Sequence, residues 1–252
     1  MHQIKECSSI AELMAYQSRG VPVVARNIVS DWELVKKSLQ GFPELKSYLL
    51  SYDIGLPFQA MIAPSSQKGR LFYKADLSGF NFDRLNGDLP EALKILEALA
   101  EESSPPTFYI GSKKIDEYLP GLERETRISA LPPSVFPSIW MGNASIVATH
   151  NDDSENFACV AAGSRKFTIF PPEQEDNLYL GPSDMTPAGR VVSMVNLQSP
   201  DFRAFPKFRS ALEKAQSATL HPGDVIYMPT GWWHNVEALE SLNILVNFWW
   251  RR

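Results

Sequence analysis

A histidine and an aspartate stand two positions apart in the stretch ATHNDDSENFACVAAGSRKF, residues 148–167. In an extended strand His150 and Asp152 point to the same side, because side chains alternate with a period of two. Two imidazoles and one carboxylate can occupy one face of a metal and leave other positions open, as in non-haem Fe(II) oxygenases. The candidate third ligand is His234, which follows the strand-and-turn pattern DVIYMPTGWW. An ordinary strand end would also explain the pair alone, but a second histidine at a strand end favours a metal site.

The elements that must position these residues are short strands. From about residue 106 the chain contains apolar stretches broken by Pro, Gly and Asn, namely TFYIGS, SIWMGN, SIVATHND, NFACVAAG, RKFTIFPP, DVIYMP and LNILVNFWW. A series of short strands with turn signals and little helix predicts an antiparallel barrel or a double-sheet jelly roll. In such a barrel the strand ends that carry His150 and His234 can meet at one mouth. His221 precedes Pro-Gly and is assigned to a turn.

The first hundred residues predict a mixed α/β portion. Ser9 and Ser30 are each followed three residues later by glutamate, which predicts two capping boxes, and Gly20 and Gly41 are the expected helix ends. Between them VPVVARNIV predicts a buried strand. Apolar residues at helical spacing in DLPEALKILEALAEE predict a helix with one core-facing side.

We therefore expect one domain over residues 1–252. It divides into an N-terminal α/β elaboration (1–105) and a β core (106–252) with an insertion near 181–218 that carries a short helix. A chain of 252 residues with 44% hydrophobic content can bury a core of this size.

Composition and charge exclude several classes of protein. The net charge of −5 and the absence of a basic run before Arg251 argue against a nucleic-acid partner. No stretch approaches the roughly 18 apolar residues of a membrane span, and the N-terminus lacks the apolar segment of a signal peptide. Cys7 and Cys159 lie far apart in sequence, as expected for reduced thiols. These features predict a cytoplasmic protein whose partner is a small molecule or another protein.

An ordered set of motifs resembles the cupin-like JmjC family of Fe(II)/2-oxoglutarate oxygenases. The motifs are THNDDSENFACVAAGSRKFTIFPPEQEDNLYLGP, LHPGDVIYMPTGWWHNVEAL and NILVNFWW, and earlier GVPVVARNIVSDW, FYKADLSGFNF and FYIGSKKIDEYLPGL. The chain is similar to short bacterial members and to the asparaginyl hydroxylases of that family. The resemblance implies a mainly β fold with flanking helices, a double-stranded β-helix. It also implies iron held by His150, Asp152 and His234, with 2-oxoglutarate chelating that iron.

The resemblance further implies a set of cosubstrate residues, which are Tyr109, Asn156, Asn247 and Trp249. Arg165 stands where relatives carry a lysine, and alternation places it on the opposite face from Lys166. We expect Arg165 to anchor the cosubstrate, unless a bulge near Ser164 turns Lys166 inward instead. Val147 stands where the asparaginyl hydroxylases have a threonine. Thr149 is the nearest threonine, but it is next to His150, so alternation points it to the opposite face of the strand from His150.

The sequence therefore predicts a 2-oxoglutarate-dependent dioxygenase that hydroxylates a protein side chain or a small molecule. Two alternatives stay open at this point: a cupin-type metal enzyme that does not use 2-oxoglutarate, and a non-catalytic binding module on the same fold. The asparaginyl hydroxylases dimerise through helices that follow the last strand, whereas the present sequence ends at Arg252. We expect a monomer, or a dimer formed without such helices.

Overall fold

The computed structural model describes residues 1–187 and 189–251, in which strands predominate. The strands are β1 (His2–Gln3), β2 (Glu6–Cys7), β3 (Val23–Ala25), β4 (Phe58–Ala63), β5 (Arg70–Leu71), β6 (Asp83–Gly87), β7 (Thr107–Lys114), β8 (Pro137–Gly142), β9 (Ser145–Asn151), β10 (Glu155–Ala162), β11 (Arg165–Phe170), β12 (Gln216–Leu220), β13 (Val225–Met228), β14 (Trp233–Ala238) and β15 (Asn243–Trp250). The α-helices are α1 (Ile10–Ser18), α2 (Glu33–Gln40), α3 (Phe42–Leu50), α4 (Leu89–Leu99), α5 (Ile115–Tyr118), α6 (Leu122–Glu125) and α7 (Phe208–Lys214), and Ser65–Gln67 and Pro172–Asn177 form 3₁₀ helices. Within the described residues, no helix has the length and apolar character that crossing a membrane requires.

Eight consecutive strands, β8 to β15, form a double-stranded β-helix. Strands β8, β15, β10 and β13 are neighbours in a nine-stranded sheet, and β9, β14, β11 and β12 are neighbours in a six-stranded sheet. Every pair of neighbours within these two groups is antiparallel. The mainly β architecture with flanking helices that the sequence predicts is confirmed.

The core between the two sheets explains why these segments are strands. Ala158 and Val160 of β10 pack in one cluster with Phe167 and Ile169 of β11, so the sheets face each other. The alternate residues of β10, such as Phe157, pack on the outside of the nine-stranded sheet with apolar side chains of α1 to α4. Because β10 is buried on both faces, it reads as a continuous apolar run rather than as an alternating one.

The N-terminal residues extend both sheets and supply the covering helices. Strands β2 and β3 lengthen one edge of the nine-stranded sheet, β7, β4 and β6 lengthen the other, and β1 and β5 are the edges of the six-stranded sheet. The eight-stranded unit itself begins at Pro137, so β7 lies outside it. Helix α4 has the core-facing side that its sequence predicts, with five buried apolar residues, namely Leu89, Ala92, Leu93, Leu96 and Leu99.

The expected cap at Ser9 is present, although the Glu12 carboxylate accepts from the Ser8 amide at 3.2 Å rather than from the Ser9 amide of a full capping box. The Ser9 hydroxyl accepts a hydrogen bond from the Glu12 amide at 3.3 Å and opens α1. The expectation at Ser30 is wrong, because α2 begins at Glu33 after Trp32 and the Ser30 hydroxyl instead donates to the Asn27 carbonyl at 2.9 Å. A serine followed by a glutamate caps a helix only where the backbone between them turns into the helix.

Three segment boundaries also differ from expectation. Only Val23–Ala25 of the stretch VPVVARNIV is a strand, because a turn follows at once. Gly41, with φ of 121°, joins α2 directly to the unpredicted helix α3. Residues 216–218, which the sequence places in the insertion, belong to β12. The preceding part of the insertion, including α7, covers the outer face of the six-stranded sheet around Phe170 and Trp233.

Candidate functional site

A cavity of about 580 Å³ lies between the two sheets, a volume typical of small-molecule sites. Its inner walls come from the β-helix, including β10, β11 and β15. One outer wall comes from the N-terminal half, through Met61 of β4, Leu71 of β5 and Arg84 of β6. Another comes from the insertion, through residues such as Arg190. The N-terminal half is therefore part of the site as well as a cover for the sheet.

His150, Asp152 and His234, hereafter the metal triad, meet in this cavity. Strands β9 and β14 are neighbours, and His234 pairs directly with His150. The centroids of the two imidazole rings are 4.3 Å apart, and His234 Nε2 is 3.8 Å from Asp152 Oδ2. One ligand atom from each residue lies within 4.8 Å of the other two. Among the described residues, this is the one cluster of three or more such side chains that could hold a metal ion.

A bulge in β9 decides which of its side chains face the cavity. His150 pairs with His234 and Val147 pairs with Val236, so three steps on β9 match two on β14. The extra residue reverses the alternation. Val147 and His150 consequently both line the cavity, whereas simple alternation would place them on opposite faces.

Backbone carbonyl groups set the orientation of both imidazoles. Nδ1 of His150 is 2.8 Å from the carbonyl oxygen of Ala148, and Nδ1 of His234 is 3.1 Å from that of Trp232. A carbonyl oxygen can only accept, so Nδ1 must carry the proton in each ring and donate it. Each Nε2 is then left with a lone pair for a metal, and the second interaction of each ring fixes its direction.

A chain of hydrogen bonds holds the carboxylate of the triad. Trp249 Nε1 donates to Asp152 Oδ2 at 3.1 Å, and Asn156 Nδ2 donates to the same oxygen at 3.2 Å. Asn247 Nδ2 donates to Asn156 Oδ1 at 2.7 Å and thereby fixes the direction of that amide. Both asparagines are buried. Three of the residues that the resemblance assigns to the cosubstrate therefore also position a metal ligand.

The electrostatics of the triad suit a cation. Burial raises the pKa of Asp152, but positive charge at His234 and His150 and the hydrogen bond from Trp249 act the other way, and the pKa lies below its usual value. Burial and the neighbouring His234 together lower the pKa of His150 to about 4, although the charge of Asp152 acts in the opposite direction. Asp152 is therefore ionised and His150 neutral at pH 7, which are the states that bind metals.

Arg165 lies deeper in the same cavity and has no acidic partner. It is 2% exposed, its Nε has no hydrogen-bond partner, and none of the ion pairs in the described residues includes it. Burial lowers its pKa to about 10. An unpaired buried cation is costly, so this one indicates an anionic ligand. Lys166 faces outward instead, 3.4 Å from Glu237.

Tyr109 adds a hydroxyl group to the wall beside Arg165. Burial raises its pKa to about 12, although the charge of Arg165 acts in the opposite direction. The phenol is therefore protonated at pH 7 and can donate a hydrogen bond. Its ring also packs 6.0 Å from that of Trp140, whose buried Nε1 has no acceptor.

The sequence analysis missed the charged residues at the rim of the cavity. Arg84 and Arg190 line it, and Arg190 forms an ion pair at 2.5 Å with Asp153, the neighbour of a triad residue. No periodicity or motif marks either arginine, because β6 is an edge strand and Arg190 lies in the insertion. Only their position in the folded chain identifies them.

Comparison with known proteins agrees with this architecture. Residues 9–252 match the family model described as a cupin-like domain. The chain is 33% identical over 115 residues to "Lysine-specific demethylase JMJ31" of Arabidopsis thaliana (45% of this chain, 20% of the relative). It is 29% identical over 150 residues to "Lysine-specific demethylase 8" of Xenopus tropicalis (56% and 32%) and 32% identical over 115 residues to "HSPB1-associated protein 1" of Homo sapiens (44% and 23%).

The matched segments span a third or less of the length of these relatives. The family model, in contrast, covers all but the first eight residues of the chain, and the eight-stranded β-helix with its flanking helices is the fold that the sequence motifs imply. The chain therefore belongs to the cupin-like domain family, and the resemblance to its JmjC members is confirmed.

Proposed function

We propose that the protein is an Fe(II)- and 2-oxoglutarate-dependent oxygenase that hydroxylates a C–H bond of its substrate. One observation carries the proposal: a single cavity contains both the metal triad and a buried arginine without an acidic partner. Ile169 pairs with His234 while Arg165 pairs with Ala238. The backbone of Arg165 therefore lies about 13 Å along β11 from Ile169, the residue opposite His234, at about 3.3 Å per residue.

The donor atoms of the triad fit iron. Two imidazole nitrogens and one carboxylate oxygen form the ligand set of non-haem Fe(II) oxygenases and leave coordination positions open. Hydrogen bonds from Trp249 and Asn156 keep the carboxylate in place, and backbone carbonyls keep both imidazoles in place. Such outer contacts hold metal ligands in position before the metal arrives.

The deeper part of the cavity fits 2-oxoglutarate. A five-carbon dicarboxylate can extend from the metal triad toward Arg165, whose guanidinium group can donate two parallel hydrogen bonds to the far carboxylate. Tyr109 is protonated and close to Arg165, so it can donate another. The apolar side chains between these points, such as Phe167 and Leu245, line the cavity and match the methylene groups.

In this mechanism the protein binds and orients the metal, the cosubstrate and the substrate, and it excludes water from them. The bound iron and 2-oxoglutarate together supply the activation of oxygen that C–H hydroxylation requires. The triad fixes the metal position, Arg165 and Tyr109 fix the cosubstrate, and the outer part of the cavity holds the substrate over the metal. Whether the hydroxylated carbon is retained or lost, as in a demethylation, depends on the substrate, which we propose to be a small molecule or a protein side chain.

The proposal is tested with purified protein in three measurements. We expect it to bind Fe(II), to bind 2-oxoglutarate in calorimetry with Mn(II) in place of iron, and to form succinate from 2-oxoglutarate with Fe(II) and oxygen. Asp152→Ala should remove all three properties, while His221→Ala, a matched change at an exposed turn, should leave them intact. Metal binding without 2-oxoglutarate binding would indicate the metal-cupin alternative, and loss of both would indicate a binding module.

A further inference from the structure

We propose that the substrate presents an anionic group, a carboxylate or a phosphate, to Arg84 and Arg190 at the mouth of the cavity. These two residues, hereafter the mouth arginines, would also disfavour a cationic side chain such as a methylated lysine. The inference rests on the proposed oxygenase function and specifies the substrate class of that same site.

The cavity has no free carboxylate to receive a cation. Among the described residues that line it, the acids are Asp152 and Asp153. Asp152 is a member of the metal triad. Both oxygens of Asp153 are engaged by arginines, Oδ1 by Arg190 at 2.5 Å and Oδ2 by Arg251 at 3.2 Å. A cationic substrate group would therefore find no uncompensated negative charge on the wall.

The mouth carries an excess of positive charge. Arg84 donates from Nη1 to the neutral Gln59 side-chain oxygen at 3.2 Å, and no ion pair in the described ranges includes it. Arg190 and Arg251 share the single charge of Asp153. Among the described residues that line the mouth, two arginines against one aspartate leave one positive charge, although the whole chain has a net charge of −5.

The mouth arginines are also accessible to a ligand. Arg84 is exposed on the edge strand β6, and the Arg190 side chain is 41% exposed, yet both line the cavity. Each guanidinium has five N–H donors, and the described contacts use one of them on each arginine. The planar arrangement of the remaining donors matches the geometry of carboxylate and phosphate oxygens.

This charge pattern contrasts with the substrate that the names of two relatives indicate. Those proteins are called lysine-specific demethylases, and a methylated lysine is a cation. A positively charged mouth raises the local concentration of anions and repels cations. The structure of this chain therefore favours a different substrate class from the one in those names.

The test compares three small probes of equal backbone, namely the N-acetyl methylamides of glutamate, glutamine and trimethyllysine. Their dissociation constants are measured by ligand-observed NMR with diamagnetic Zn(II) and 2-oxoglutarate present throughout, so that Arg165 is not the free cation. Replacing Zn(II) with Mn(II) then locates the bound probe, because Mn(II) broadens the resonances of protons near the metal triad. The same side chains in a short Ala/Gly peptide distinguish a small acid from an acidic peptide segment.

We expect the glutamate probe to bind at least about fivefold more tightly than the glutamine probe, a modest ratio because exposed ion pairs are weak and screened by salt. Arg84→Gln and Arg190→Gln should each remove most of that preference. Arg124→Gln changes the net charge equally at a site with an 84% exposed side chain and should leave the preference intact. Equal binding of the three probes, or tighter binding of trimethyllysine, would overturn the inference. Failure of Mn(II) to bind would instead refute the proposed oxygenase function, whereas the effect of Arg84→Gln and Arg190→Gln on the probe ranking tests the mouth arginines separately.

Discussion

Replacing Arg165 with methionine is expected to stabilise the ligand-free protein. Arg165 is 2% exposed, and burial lowers its pKa from the ordinary value of an arginine to about 10. At about 1.4 kcal/mol per pH unit, this difference corresponds to roughly 3 kcal/mol of destabilisation by the charged form. The penalty is complete below about pH 10 and is lost as the pH rises from there toward the ordinary pKa of arginine, so it applies in full at pH 7. Methionine fills a similar volume without charge, and we expect a gain of about 1–3 kcal/mol.

The same substitution should remove most of the binding of 2-oxoglutarate. A hydrogen bond to a charged group contributes about 1.5–3 kcal/mol, which corresponds to a dissociation constant about 10- to 100-fold higher. Ligand binding to the folded state stabilises it, so adding 2-oxoglutarate to the Mn(II)-loaded protein should raise the Tm of the unmodified protein and leave that of Mn(II)-loaded Arg165→Met nearly unchanged. Urea denaturation at pH 7 measures the first effect, and calorimetry with Mn(II) measures the second.

Lys166→Met is the matched control. Lys166 faces outward, 37% exposed and 3.4 Å from Glu237, so its loss should change the free energy of unfolding by no more than about 0.5 kcal/mol. It should not affect 2-oxoglutarate. The reasoning is refuted if Arg165→Met destabilises the protein and leaves 2-oxoglutarate binding unchanged, or if Lys166→Met weakens that binding.

Three further predictions concern the metal and the fold. Alanine at any position of the metal triad should weaken Mn(II) binding at least about 100-fold without unfolding the protein, as measured by EPR and circular dichroism, whereas His221→Ala should bind as the unmodified protein does. Trp249→Phe removes the 3.1 Å hydrogen bond to Asp152 but keeps an aromatic ring, so Mn(II) affinity should fall about 10-fold with the Tm nearly unchanged; equal affinity would show that this bond does not position the ligand. Gly163→Ala should lower the free energy of unfolding by at least about 2 kcal/mol, because φ is +70° and a Cβ would lie 2.5 Å from Asn243 Oδ1; a urea midpoint like that of the unmodified protein would contradict this.

Several features of the site follow from the sequence because they depend on local alternation. In β10, the period of two places Asn156 and Phe157 on opposite faces, and in β11 it does the same for Arg165 and Lys166. In the structure Asn156 and Arg165 face the cavity, and Phe157 and Lys166 face away from it. The pair His150 and Asp152 also keeps its common face. These relations involve a few consecutive residues of a regular strand, for which backbone geometry alone determines the direction of each side chain.

Other features required the tertiary structure. The bulge in β9 turns Val147 into the cavity together with His150, and its position depends on the register between β9 and β14. The Ser30 sequence matches a capping box, but the chain there packs against the β12–β13 turn, where Val29 N donates to the Gly223 carbonyl at 3.0 Å. Register and packing result from contacts between distant segments, which no local pattern specifies.

The difference between features that the sequence predicts and features that need the tertiary structure is clearest at the two ends of the cavity. The motifs around the metal triad identify the inner part, because a metal site requires particular residue types at a particular spacing. The mouth arginines carry no such signature, because the local structure of β6 and of the insertion would accept many other polar residues at these exposed positions. The sequence alone determined the fold class and the candidate ligands. Only the packing of the N-terminal half and the insertion against the β-helix decided which charges surround the entrance, because that packing brings together residues from segments far apart in the chain.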